Sequence, residues 1–329
     1  KERGVIGDEL LEGGFRVVGI QRHEGRIRRY LTFLGLRKVV RENNIHLLHS
    51  HTTYSLADSC LCSLSMRGLR TVHTFHRGNY PTHNPRYIFM ARVFSRFCDR
   101  LIAVGIEQAK VVRSVLYLGK NRIQTILNGV EDVDLAGDPE WAARLRADGR
   151  LVIGSISTLI EQKGITFLLD TAAELKRRGE NPLFIVVGEG ELRPALEEKC
   201  RQLGLGDSVI FTGWVSKAAT RMLPIIDIFF QTSLWEAMSM VVLEAMAAAK
   251  PVVVTDVGDN RHVVEDGKNG FVVPAKNVTR MADALQALLS SAERRQQFGR
   301  AGRIRFEQNY SAGFMARKYE DLYAELLDG

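Results

Sequence analysis

Along the first half of the chain, short apolar and β-branched runs alternate with longer stretches whose apolar positions recur every three or four residues. The short runs, at 15–20, 45–49, 69–74, 100–104 and 123–127, read as buried strands and the longer stretches as helices. Such alternation predicts a parallel sheet covered by helices. A polar, helix-breaking stretch at 137–149 intervenes. The pattern then repeats more regularly, with strands at 151–155, 183–187, 209–212, 228–231, 251–255 and 270–272. This half predicts a doubly wound α/β domain. Ser311 reads as the N-cap of a closing helix through Leu327, with Phe314, Met315, Tyr319, Leu322, Tyr323 and Leu326 on one apolar face. The expected division is a front domain over 1–149, a second domain over 150–308, and a C-terminal helix over 309–329 that packs back on the front domain.

In a doubly wound sheet the first strand is central, and the turn after it supplies a glycine-rich anion site. The front half opens without that pair: Gly13 and Gly14 precede the first run instead of following it, which fits a helix C-cap. The expectation is either a first strand and turn carried by residues upstream of Lys1, or a rearranged first sheet.

Composition narrows the class. With 45% hydrophobic and 25% charged residues in 329, the chain is long enough for two globular domains. No apolar run approaches the ~20 residues that span a bilayer, and no signal-peptide pattern is present. Cys60, Cys62, Cys98 and Cys200 have neither zinc-site spacing nor the density of a disulfide scaffold, so a reducing, cytoplasmic compartment is expected. The net charge of +7 is concentrated in the front half, notably at Arg22, Arg26, Arg28, Arg29, Arg37, Lys38 and Arg41. That cluster suits an anionic membrane surface or acidic glycan, or is a solvated helix face. Nucleic acid is set aside, because no nucleic-acid-binding signature accompanies the charge.

The candidate chemistry lies at strand ends, where two facing α/β domains form a cleft. Residues 233–255 read as a strand end, a loop holding Glu236, a helix with Glu244 in its first turns, and a further strand. Backbone N–H groups at Ser239, Met240 and Val241 would present the positive end of the helix dipole to phosphate oxygens. Taken alone, Glu236 could be a capping acid and Glu244 a solvated residue.

Five ordered blocks favour the functional reading: 153–164 (IGSISTLIEQKG), 187–190 (VGEG), 211–214 (FTGW), 236–251 (EAMSMVVLEAMAAAKP), and 257–258 with 264–274 (VG, VEDGKNGFVVP). The front half adds 49–51 (HSH), 71–76 (TVHTFH), 101–104 (LIAV) and 126–130 (ILNGV). Together they resemble the retaining glycosyltransferases of GT-B fold with two glutamates separated by seven residues, the family 4-like "glycosyl transferases group 1".

The resemblance implies two Rossmann-like domains facing a cleft, and transfer of a hexose or N-acetylhexosamine from a UDP or GDP sugar to a glycan or lipid-linked acceptor. It implies no metal and no cofactor beyond the nucleotide sugar, and a cytoplasmic protein, peripheral on the inner membrane face, in polysaccharide or lipopolysaccharide assembly. By the same resemblance Glu236 contacts the donor sugar, Glu244 the ribose and Lys163 the diphosphate, with Met238, Ser239, Met240, Val241, Thr158, Gly188 and Gly213 around the donor. His73 matches the acceptor-side histidine; a buried structural histidine is its other reading, and His49, His51 and His76 read as structural. Thr158 stands where an arginine is usual, Gly105 where serine is common, and Ala237 and Ala249 where glycine is frequent. The loss of one diphosphate-binding cation makes a binding protein of impaired activity the alternative function.

Overall fold

A computed structural model describes residues 5–20, 32–76, 85–134, 137–145 and 149–328. Arg22, Arg26, Arg28 and Arg29 of the basic cluster lie outside the described residues. The front part runs α1 (Val5–Glu12), α2 (Thr32–Glu42), β1 (Leu47–Ser50), α3 (Thr53–Leu64), β2 (Arg70–Phe75), α4 (Pro85–Phe94), β3 (Arg100–Ala103), α5 (Ile106–Leu116), β4 (Ile123–Thr125) and α6 (Pro139–Leu145). Strands β1 to β4 are parallel and adjacent in that order, because each is followed by a helix that carries the chain back. Thr52 starts α3 with a capping box, exchanging hydrogen bonds with Ser55.

The expected strand at 15–20 does not form. Gly13 and Gly14 close α1 as a C-cap, with the Phe15 N–H donating to Leu10 O at 2.9 Å. The chain then stays outside the sheet: Arg16 and Val18 share a surface depression with Asn43 to Ile45, and Ile20 lines a cavity with His51. Phe15 and Val18 are exposed, so the run has a strand's composition but no buried face to hold it in register. Among the described residues the first sheet is therefore one half of a doubly wound arrangement, with no reversal of strand order.

The second part runs β5 (Val152–Ile156), α7 (Ile165–Arg177), β6 (Leu183–Val187), α8 (Arg193–Gln202), β7 (Val209–Gly213), α9 (Ala218–Met222), β8 (Ile228–Gln231), α10 (Met240–Ala247), β9 (Val252–Thr255), α11 (Asn260–Val263), β10 (Gly270–Val273), α12 (Val278–Leu289), α13 (Ala292–Asn309) and α14 (Ala312–Asp328). Its six parallel strands have the order β10-β9-β8-β5-β6-β7, a complete doubly wound sheet whose order reverses between β5 and β8. All five residues of β6 are buried, as a central parallel strand covered on both faces requires. The crevice beyond the carboxyl ends of β5 and β8 is where this topology places ligands.

Two chain crossings join the parts. The Val130 N–H donates to Tyr310 O at 3.0 Å, and the Ala312 N–H donates to Val130 O at 2.8 Å. Beyond the first crossing, α6 packs on the second part: Leu145 is fully buried in its core, and Arg221 pairs with Asp138. Beyond the second, α14 returns to the first sheet, where Leu322 and Leu326 bury against Val72, Ile102 and Ile126. Burying each of those leucines contributes about 2 kcal/mol. The Ser311 hydroxyl caps α14 by accepting from the Phe314 N–H.

Candidate functional site

The switch point brings together the loops after β5 and β8. Gln162 O accepts from the Leu234 N–H at 2.7 Å, Gln162 Nε2 donates to Trp235 O at 3.0 Å, and the Thr232 hydroxyl donates to Lys163 O. With their backbones tied, Lys163 Nζ donates to Glu236 Oε1 at 2.5 Å, and Ser233 Oγ donates to the same oxygen at 2.9 Å. Glu236 is nearly buried and Lys163 about a quarter exposed.

Glu236 leads directly to α10. Its N-cap, Ser239, does not cap it, because Gln231 Nε2 holds the Ser239 hydroxyl at 2.7 Å, and Gln231 Oε1 in turn accepts from Asn260 Nδ2 at 2.7 Å. The N–H groups of Ser239, Met240 and Val241 have no acceptor among the described residues. A helix start with unpaired donors and a positive dipole end can receive an anion. The buried chain Asn260–Gln231–Ser239 keeps it open.

Glu244 follows one turn later on α10, half-buried and without a hydrogen-bonded partner among the described residues; burial raises its carboxyl pKa. The Met238 side chain turns into the core, leaving its backbone to the loop. Thr158 is exposed at the end of β5, with no charge of its own to offer. At the carboxyl ends of β6 and β7, the Gly188 N–H donates to Gly213 O at 2.9 Å. Gly188 has φ +135° and stands where a Cβ would come within 2.0 Å of Ser157 O, so only glycine lets the two loops meet. Ala237 adopts no left-handed conformation, whereas Ala249, which closes α10, has φ +52°; of the two replaced glycines it is Ala249 whose backbone is strained.

His73 stands apart from these groups. It lies in the first sheet, 2% exposed, with Nδ1 2.9 Å from the Ser50 hydroxyl and its ring edge-on to Phe75. Burial, then the neighbouring His51, His49 and His76, depress its pKa to about 3, so it is neutral at physiological pH. It lines a cavity of about 550 Å3 with His51, His76, Tyr54 and Tyr87, and no residue of the second part lines that cavity among the described residues.

His49 is structural, bonded to the Tyr323 hydroxyl at 2.6 Å and to Thr74 Oγ1 at 2.7 Å. The His51 and His76 rings meet at 2.8 Å, Nδ1 to Nε2, on the cavity wall. The histidine spacing at the ends of β1 and β2 was the available signal. Gln231 and Asn260 carried none, as their role depends on a contact between distant segments.

Of the basic cluster, Lys38 pairs with Glu42 on α2 and Arg37 is half-buried, so the described part is not a uniformly free positive face. All four cysteines are buried and free. No helix among the described residues is long and apolar enough to cross a membrane.

Known proteins share this architecture. The Rickettsia africae glycosyltransferase superposes with TM-score 0.85 at 18% identity, covering 98% of this chain and 88% of that one. Anabaena HepE in complex with UDP and glucose superposes with TM-score 0.83 at 19% identity, covering 98% and 89%. In sequence, the alpha-D-kanosaminyltransferase of Streptomyces kanamyceticus is 28% identical over 334 aligned residues, covering 96% of this chain and 86% of that protein. The profile described as Glycosyltransferase Family 4 matches residues 6–133, and that described as Glycosyl transferases group 1 matches residues 138–305, half of the chain. A switch-point crevice with a paired lysine and glutamate before an uncapped helix thus belongs to a GT-B-type glycosyltransferase, and the chain is a member of the glycosyl transferases group 1 family.

Proposed function

We propose that the chain transfers a hexose or N-acetylhexosamine from a nucleoside-diphosphate sugar, with retention of anomeric configuration and without a metal, to a glycan or lipid-linked acceptor. The observation that carries this reading is the Lys163–Glu236 pair, at 2.5 Å, immediately before the uncapped start of α10. When the bond from the anomeric carbon to the phosphate oxygen breaks, its electron pair leaves with the diphosphate. Lys163 and the amides of Ser239, Met240 and Val241 offer that charge fixed, already oriented donors. Glu236 accepts from sugar hydroxyls and Glu244 from the ribose. His73, neutral at the floor of the front cavity, faces the acceptor side, and the UDP held by HepE supports a uridine donor. The basic front half favours an acceptor at an anionic membrane surface.

Donor hydrolysis or transfer should survive chelation and be lost in Glu236→Ala and Lys163→Ala; unchanged turnover in both variants sinks the proposal. The exposed, uncharged Thr158 supports a second reading, a sugar-nucleotide-binding protein of impaired activity. Calorimetry with UDP and GDP sugars separates the two, since binding without turnover selects the second.

A further inference from the structure

We propose that Asp259 is a positioning residue through which the front domain sets the loop that carries Glu236. Its importance for turnover rests on the reading of Glu236 given above. Asp259, on the turn after β9, is fully buried, and its Oδ1 accepts from the Glu107 N–H at 2.8 Å, in the first turn of α5. The cap of a front-domain helix therefore comes from the other domain. The helix's own N-cap is Gly105, which has no side chain to offer. With φ −152° Gly105 needs no glycine for its conformation; it needs one for space. A Cβ there would lie 1.8 Å from Asp259 Oδ2 and 3.4 Å from Ala237 O. The residue that replaces the common serine thus admits the carboxylate of the opposite domain to the helix end.

On its other side the same residue grips the Glu236 loop. The Asp259 N–H donates to Ala237 O at 3.0 Å. The preceding Gly258 sits where a Cβ would come within 2.3 Å of Glu236 O and 2.7 Å of Ala237 O. One turn further on, His262 Nε2 meets Glu107 Oε1 at 2.9 Å, a second link between the same two elements. Asp259 Oδ2 has no hydrogen-bond partner among the described residues, and burial raises the pKa of this carboxyl against the opposing pull of the Glu107 and Ile106 amides. A buried, half-satisfied carboxylate lowers stability, so stability alone does not account for it. Its contacts do: α5 on one side and the Glu236–Ala237 peptide on the other.

The test is hydrogen exchange on the full chain, over segments 105–109 and 235–240, combined with turnover of UDP-glucose. Asp259→Ala should speed exchange in both segments by about ten-fold or more, as expected for the loss of a charged cap. It should lower kcat without a matching rise in KM, whereas Asp259→Asn, which keeps the acceptor oxygen, should stay within roughly three-fold of the parent in both readouts. Faster exchange confined to 105–109, with unchanged 235–240 and unchanged kcat, reduces Asp259 to a helix cap and overturns the proposal. If the parent chain shows no turnover, the role of Glu236 fails while the exchange data still decide the coupling. Should Asp259→Ala not fold, Gly105→Ala displaces the carboxylate from the other side and is read in the same way.

Discussion

Removing either partner of the Lys163–Glu236 pair should have unequal effects on stability. Only 8% of the Glu236 side chain and 23% of the Lys163 side chain is exposed. In Lys163→Ala a nearly buried carboxylate keeps one neutral donor, Ser233 Oγ, and loses its charge partner. Stranding a buried charge costs about 3–5 kcal/mol; the remaining hydroxyl and the partial exposure of the lysine bring this to roughly 2–4 kcal/mol. In Glu236→Gln the carboxamide keeps the volume and the Ser233 contact, and the flexible lysine extends its ammonium into crevice water, for about 1 kcal/mol or less. For a domain of this size, a difference of about 2 kcal/mol separates the two melting temperatures by roughly 4–8 °C. Thermal scans of both variants, with urea titrations for the free energies, read it directly. Equal melting temperatures, or a less stable Glu236→Gln, would show that the carboxylate is not the buried, dependent partner.

Three further outcomes follow from single residues. Thr158→Arg should tighten UDP binding by about ten-fold or more in calorimetry, the value of one charge-assisted phosphate contact; no gain would mean that position 158 does not face the diphosphate. Ala249→Gly should stabilise the chain by about 0.5–1 kcal/mol in urea unfolding by relieving the left-handed alanine at φ +52°, and destabilisation would contradict this. His73 is depressed in the folded chain to about 3, below its unfolded value of 6.5, so below pH 6.5 the unfolded state takes up a proton that the native state does not. Its contribution is complete above pH 6.5 and falls by about 1.4 kcal/mol per pH unit as the pH drops towards 3. His73→Asn should therefore show a shallower loss of stability between pH 6 and 4, and parallel profiles would refute the buried neutral histidine.

The second sheet was legible strand by strand because its central runs are buried on both faces and its edge strands β7 and β10, though partly exposed, keep the same short apolar composition. The run at 15–20 has the same composition but no pairing partner, and no local pattern reports that. Residues near Glu236 and Lys163 could be placed at neighbouring strand ends from topology. Their contact at 2.5 Å joins positions 73 apart and follows from loop packing. The same limit hid Asp259, whose bond to Glu107 spans 152 positions. Gly105 was visible as a departure from the family pattern, but its reason lies in the other domain. The strain at Ala249 rather than Ala237 likewise depended on backbone angles that residue identity does not supply.

A crystal structure of the full chain soaked with UDP shows directly where a nucleoside diphosphate binds. The distal phosphate should lie against the amides of Ser239, Met240 and Val241, with Glu244 on the ribose and Lys163 Nζ moved from Glu236 to a phosphate oxygen. UDP bound elsewhere, or a diphosphate in the crevice with the Lys163–Glu236 pair unbroken, would contradict this placement.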